Sequence, residues 1–421
     1  MASDNQQAQK AQSKTGEESD LSLEVVILLI LGVFMLLFGL LLFRIHTGDL
    51  PYNPDSTYGL FLVIVSLQII TMGKTPFGDL RRSWMVVIVG ICMAILGMYA
   101  CFIPGTLTVL VRMLVGIMLS FGGVALLLQL YTSGEKAKKW MKTSGILRQL
   151  TTACGFVYTI SVILGLVTLL PGTTTDQQTA VLLLIYGISF FYLAWCIQKV
   201  NELYPPKKTR NPAYEQMTSV EHRSRYSFKL LRDASLPLSI ALWILLGVLL
   251  TFLGLLLFRV YKGIIPFSPD GQLGLLMVIT AIQILAIGET PMGQYKRSWL
   301  LIIIGIVFAA MGIVSCIVPG ILTDVIKMLL GFSNIIGGSV LLIKRYLPIL
   351  HDIGTRPAEP VDFTSVTSRL QTTQTMINII VITFGVTMVV PSLVSGQTVA
   401  GILVIDGLLM FLLAYFVYRM T

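Results

Sequence analysis

The segment GKTPFGDLRRSW, residues 73–84, recurs as GETPMGQYKRSW at residues 288–299. The two segments lie 215 positions apart, and the same offset aligns residues 25–131 with 240–346 without a gap. After five inserted residues the offset becomes 220 and holds for further pairs: Gly165 and Gly385, Pro171 and Pro391, Gly187 and Gly407. Shared composition does not keep one register over so long a stretch, so the sequence predicts an internal duplication.

Apolar residues surround these segments in blocks of about 20, the length a helix needs to cross a bilayer. Hydrophobic residues make up 55% of the chain and charged residues 12%, about half the charge of a soluble domain. In lipid the backbone must satisfy its own hydrogen bonds, so the blocks predict helices. The twelve predicted spans are 24–46, 58–73, 83–103, 105–131, 150–170, 178–199, 237–260, 272–288, 298–318, 320–346, 373–391 and 397–419.

Each predicted copy has six helices, and an even number places both copies the same way up in the membrane. The fold class is therefore predicted as all-α integral membrane, with two parallel six-helix repeats related by a pseudo-twofold axis along the membrane normal. The predicted organisation is a disordered cytoplasmic tail (1–20), repeat 1 (21–199), a cytoplasmic linker (200–235) and repeat 2 (236–421).

Positive charge predicts the orientation of these helices. With both termini in the cytoplasm, only five of the 30 lysines and arginines fall on the far side: Arg44, Arg112, Arg259, Lys262 and Lys327. The sequence thus favours an inner (plasma) membrane, of a bacterium, with cytoplasmic N- and C-termini. The basic loops 132–149 and 347–372 either contact anionic lipid headgroups or serve only as topology signals.

Glycines and prolines divide each copy into three predicted hairpins. Helix three carries Gly97 and ends at a Pro-Gly turn, and helix four then carries Gly116; helices five and six repeat this pattern. The pattern resembles that of the HdeD-like membrane family linked with acid resistance, most clearly over 90–130 and 305–345. The resemblance implies a stress or envelope protein without enzymatic residues. Twelve helices, a long linker and the GxTPxGxxxRSW loops depart from that family.

The repeated GxTPxGxxxRSW loop is either a cytoplasmic gate or docking surface, or a tight turn in which Ser83 caps helix three and Trp84 anchors it. One position differs in charge between the copies, Lys74 against Glu289. A pseudo-twofold axis that brings the loops together predicts a contact between these two side chains.

Ionisable groups inside membrane spans are costly and are therefore candidate functional residues. Arg112 and Lys327 are equivalent residues about two turns into helix four of each copy. Asp324 lies three residues before Lys327, on the same helical face, where it could neutralise Lys327. Val109 replaces this aspartate in the first copy, so Arg112 needs another partner or must extend to the interface.

Three further polar residues fall near the middle of predicted helices. Gln68 and Gln283 are equivalent, and an amide at that depth needs a partner on another helix. Asp406 replaces Tyr186 in the second copy and has no local counterion. Hydrocarbon favours the uncharged form of a carboxyl group, so Asp406 either takes part in proton coupling or is hydrogen-bonded to a neighbouring helix.

No motif predicts an enzyme, a metal site, a cofactor or a nucleic-acid partner. The five cysteines lie within or beside apolar blocks without CxxC spacing, and the three histidines lie in loops or at helix ends. Walker, GxSxG and HExxH motifs are absent from the sequence. The favoured function is a non-enzymatic structural, accessory or stress-related membrane protein. The alternative is a secondary transporter or channel with a polar path between the repeats.

Overall fold

The computed structural model describes residues 22–71, 84–132, 145–203, 238–286, 289–290, 293–294, 299–352 and 366–420. These residues form twelve helices. The helices are α1 (Leu23–His46), α2 (Pro54–Thr71), α3 (Trp84–Phe102), α4 (Thr108–Thr132), α5 (Ile146–Leu169), α6 (Asp176–Leu203), α7 (Leu238–Tyr261), α8 (Pro269–Ala286), α9 (Trp299–Ile317), α10 (Thr323–Asp352), α11 (Val366–Val389) and α12 (Gly396–Met420). A 3-10 turn (Pro391–Leu393) and a two-residue antiparallel pairing of Glu289–Thr290 with Gly293–Gln294 complete the described structure.

Nine of the helices in the described ranges are long and apolar enough to cross a membrane. Three more, in α2, α8 and α9, have shorter apolar stretches. The chain is therefore a polytopic helical membrane protein. Below, residues 22–203 are called the first half and residues 238–420 the second half.

Three helices begin four or more residues earlier than the sequence predicts: α2, α5 (at Ile146 rather than 150) and α11. α2 starts at Pro54 rather than 58, because proline is well tolerated in the first helical turn and the Asn53 side chain accepts a hydrogen bond from the Ser56 N–H at 3.1 Å. α11 starts at Val366 rather than 373, and its polar first turns are bound by Arg345 of α10. The Arg345 guanidinium donates to the Gln371 carbonyl oxygen at 2.8 Å and to the Thr375 hydroxyl at 2.9 Å.

The closest helix pairs are not the predicted hairpins. In each half the most extensive packing joins helix one to six, two to three and four to five. Each of these pairs crosses where two glycines meet: Gly32 with Gly187, Gly59 with Gly97, Gly116 with Gly165, and in the second half Gly247 with Gly407, Gly274 with Gly312, Gly331 with Gly385. The prediction of three closely packed hairpins is therefore wrong. Those hairpins would pair helix one with two, three with four and five with six. Turns join those helices in the chain, but the glycine faces select the packing partner.

Six turns connect the helices at one end of the molecule, the turn face: residues 47–53, 103–107, 170–175, 262–268, 318–322 and 390–395. Gly105 and Gly320 have φ of +84° and +87°, which only glycine adopts without strain. Asp55 accepts a hydrogen bond from the Gly105 N–H at 2.6 Å, and Asp270 accepts one from the Thr323 hydroxyl. These bonds attach the second helix of each half to the turn between the third and fourth.

The halves meet through α1–α3 and α7–α9. Two backbone bonds cross this contact at the turn face: Asn53 N–H donates to the Ile317 carbonyl at 3.0 Å, and Ser268 N–H to the Phe102 carbonyl at 2.9 Å. The offset of 215 converts one bond into the other. Gly271 lies at this contact, where an added Cβ would be 2.0 Å from the Cys101 carbonyl oxygen.

Candidate functional site

A cavity of about 250 Å³ lies within the first half, bounded by α1, α2, α4, α5 and α6. Its outer rim contains Tyr52 and the turn residues Pro171, Gly172 and Thr174, so it opens at the turn face. Its inner walls are apolar and are formed by side chains such as Met35, Val115, Leu119 and Leu164. The cavity therefore has a polar mouth and an apolar interior.

Aromatic rings form one continuous wall of the cavity. Ring centroids are 5.6 Å apart for Phe61 and Phe34, 6.0 Å for Phe34 and Phe38, and 6.2 Å for Phe38 and Tyr52. Burial raises the pKa of Tyr52, with the nearby Tyr58 as the next cause, so its phenol stays neutral. The equivalent residues of the second half are Leu276, Leu249, Leu253 and Phe267. The wall is thus a property of the first half.

Arg112 supplies the positive charge of the cavity. It follows the start of α4 by one turn and shares a helical face with Val115 and Leu119, which also line the cavity. Its Nε atom is buried and has no hydrogen-bond partner among the described residues. The Tyr58 phenol lies within electrostatic reach of the guanidinium. Arg112 therefore lines the cavity and carries a buried N–H group without a hydrogen-bond partner among the described residues.

Asp176, the first residue of α6, lies at the mouth of the cavity and is paired. Its carboxylate is 3.1 Å from His46 Nδ1 at the end of α1. In the second half Tyr261 and Gly396 occupy the equivalent positions, and an added Cβ at Gly396 would be 1.9 Å from the Tyr261 ring. The polar pair of His46 and Asp176 in the first half is thus replaced in the second half by the Tyr261 ring packed against Gly396.

The remaining candidates are spread over several helices. Gln68 on α2 and Gln283 on α8 are half-buried, and neither lines the cavity. Lys327 on α10 is half-buried and Asp324 is exposed; although both belong to the described residues, no ion pair within 4.0 Å joins them. The predicted neutralisation of Lys327 by Asp324 is therefore not present.

Asp406 lies on α12, which packs on α7 and α11. It is buried, and its Oδ1 atom has no hydrogen-bond partner among the described residues. The Thr251 hydroxyl on α7 is also buried without a partner, and it lies 2.2 Å from the position of a Cβ added to Gly407. The equivalents of Asp406 and Thr251 in the first half are Tyr186 and Leu36. The unpartnered oxygens are therefore specific to the second half.

The predicted contact of Lys74 with Glu289 cannot be described. Lys74 and Ser83 lie outside the described residues, and only the backbone of Glu289 and Trp84 is described. The contact between the Lys74 and Glu289 side chains stays a prediction.

Sequence reasoning singled out Arg112 but missed the cavity around it. The sequence does contain a sign of the aromatic wall. At four positions an aromatic residue of the first copy aligns with leucine in the second: Phe34, Phe38, Tyr58 and Phe61. Which of these rings share one wall depends on the pairing of α1 with α6 and of α4 with α5.

One family model matches the chain: the family described as a short repeat of unknown function (DUF308) matches residues 88–157. This is the family that includes HdeD-like membrane proteins. The match contains the stretch 90–130, where the sequence resemblance is clearest, and spans α3, α4 and the first part of α5. Neither a curated protein nor a solved structure matches the chain.

Proposed function

We propose that this protein, a polytopic membrane protein with a DUF308 repeat over residues 88–157, is a non-enzymatic structural or accessory component of the membrane with a role in stress resistance. We further propose that it spans the membrane twelve times, as two parallel repeats related by a pseudo-twofold axis along the membrane normal. The reciprocal bonds Asn53 to Ile317 and Ser268 to Phe102 carry the parallel arrangement. Each bond joins the first turn of one half to the end of the third helix of the other half, at the same face of the molecule.

The distribution of polar groups favours an accessory role over transport between the repeats. The principal contacts between the halves involve α1–α3 and α7–α9. Arg112 on α4, Lys327 on α10 and Asp406 on α12 lie on other helices. A path between the repeats would have to be lined from the contacting helices, to which only Gln68 and Gln283 of the candidate residues belong.

Cysteine accessibility tests the twelve-span topology. Cysteines introduced as Thr106→Cys and Ile321→Cys should react with an impermeant maleimide added outside intact cells, whereas Glu215→Cys should react only after permeabilisation. The parent protein, which has five cysteines, gives the background labelling. Labelling of Thr106→Cys and Ile321→Cys from opposite sides would contradict the parallel repeats.

Flux measurements in proteoliposomes test the accessory role against the transporter alternative. An imposed pH gradient or potassium gradient should decay as slowly as in protein-free liposomes, because no polar path is expected between the repeats. Asp406→Asn should leave these rates unchanged. A proton flux that exceeds the protein-free rate and falls in Asp406→Asn would replace the accessory role with a proton-coupled transporter.

Cells lacking the protein should also survive acid stress less well than cells that carry it.

A further inference from the structure

We propose that the cavity of the first half binds a medium-chain fatty acid, with the Arg112 guanidinium as the ion-pair partner of its carboxylate. The accessory role does not require such a site. The inference rests on the cavity, the unpartnered Arg112 Nε atom, and the difference between the halves.

The charged residues of the cavity predict the head group of the ligand. A buried guanidinium N–H without a partner is expensive in an apolar environment, and a carboxylate is the group that the planar fork of arginine binds best. The one acidic residue among the described residues of the cavity lining, Asp176, is already paired with His46 at the mouth. One negative charge on the ligand would therefore match the single positive charge of the Arg112 guanidinium.

The volume and the apolar lining of the cavity predict the length and the chemistry of the ligand's tail. Below Arg112 the lining changes to apolar side chains, with Val115 and Leu119 one and two turns further along α4. Phe34 and Phe61 face this space from α1 and α2. A volume of about 250 Å³ is slightly below the usual range of small-molecule pockets, which suits one short chain and not the two chains of a phospholipid. The mouth at the turn face gives the ligand a route from outside the bilayer core.

Equilibrium binding of radiolabelled octanoate tests the site. The full-length protein is held in nanodiscs of phosphatidylcholine, and binding to empty nanodiscs is subtracted. Affinity should rise about fourfold for each CH₂ group between hexanoate and octanoate, as expected for burial of the chain. Octan-1-ol, which has the same chain without the charge, should compete at least about tenfold less well than octanoate. Equal competition by the alcohol would overturn the proposal even without any variant.

Variants then locate the site. Arg112→Gln should weaken octanoate binding by at least about tenfold, and Leu119→Trp should block it by filling the apolar end. Lys327→Gln is the matched control, because it removes a cation at the equivalent position of the second half and should leave the affinity unchanged. Unchanged binding by Arg112→Gln, or an equal loss in Lys327→Gln, would overturn the proposal. So would retention of phosphatidylglycerol by the wild type but not by Arg112→Gln, with no displacement by octanoate, since the occupant would then be a phospholipid.

Discussion

Gly97→Ala should lower the stability of the protein by about 3 kcal/mol, which corresponds to a fall in Tm of about 3 °C for a chain of 421 residues. An added Cβ at Gly97 would lie 2.5 Å from the Gly59 carbonyl oxygen, and one at Gly59 would lie 2.4 Å from the Gly97 carbonyl oxygen. The obstacle on both sides is backbone, which moves only if α2 and α3 separate. Thermal unfolding of the purified protein in detergent, followed by the loss of monodisperse protein, measures the change.

Gly122→Ala is the matched control for this substitution. Gly122 is also a mid-helix glycine, but an added Cβ there meets no atom within 4 Å. Alanine should therefore be neutral, or stabilising by up to about 1 kcal/mol through its helix propensity. The adjacent Gly123 is a useful third case, since its added Cβ would be 3.0 Å from the Tyr158 carbonyl oxygen. If Gly97→Ala is as stable as Gly122→Ala, the close crossing of α2 and α3 is wrong.

Asp406→Leu should stabilise the protein by about 2 kcal/mol, because it removes a buried polar group that has an unpartnered oxygen. Leucine has the same branching and the same number of side-chain heavy atoms as aspartate, and the neighbouring α12 residues Leu403 and Met410 already provide an apolar environment. A rise in Tm under the same detergent conditions is the expected result.

Ser189→Ala provides the comparison for Asp406→Leu. Ser189 is also buried in a sixth helix, but its hydroxyl donates to the Ile185 carbonyl oxygen at 2.6 Å. Its removal should lower the stability by no more than about 1 kcal/mol, the net contribution of one such hydrogen bond. A loss of stability in Asp406→Leu would mean that the carboxyl group has a partner that stabilises the fold, and would favour a functional role for it.

The sequence was sufficient to predict the helices, because about 20 apolar residues in lipid have few alternatives to a helix. It also singled out the glycines at the crossings, including Gly97 and Gly116. It did not predict which helices pair, since a Pro-Gly turn fixes the order of two helices but not the faces they turn to each other. The starts of α2 and α11 were missed for a local reason: polar residues that cap or extend a helix lie outside the apolar pattern.

For the candidate site, sequence reasoning found the charge and not its surroundings. Arg112 was predicted to need a partner or to extend to the interface, and the structure places it in the wall of a cavity. That outcome depends on rings from α1 and α2 that lie more than 50 positions away in the chain. The pairing of His46 with Asp176 was also missed. The two residues are 130 positions apart, and both lie at helix ends where the apolar pattern stops.

The two backbone bonds at the turn face have a consequence for how the halves can vary. Asn53 and Ser268 donate through their main-chain N–H groups, and Ile317 and Phe102 accept through their carbonyl oxygens. Every residue except proline has this donor, and every residue has this acceptor. The two main-chain bonds therefore do not depend on which side chains stand at these four positions, and the side chains differ between the halves. A contact made of main-chain atoms is compatible with different side chains in the rest of each half, which line an aromatic-walled cavity in one half and bury a carboxyl group in the other.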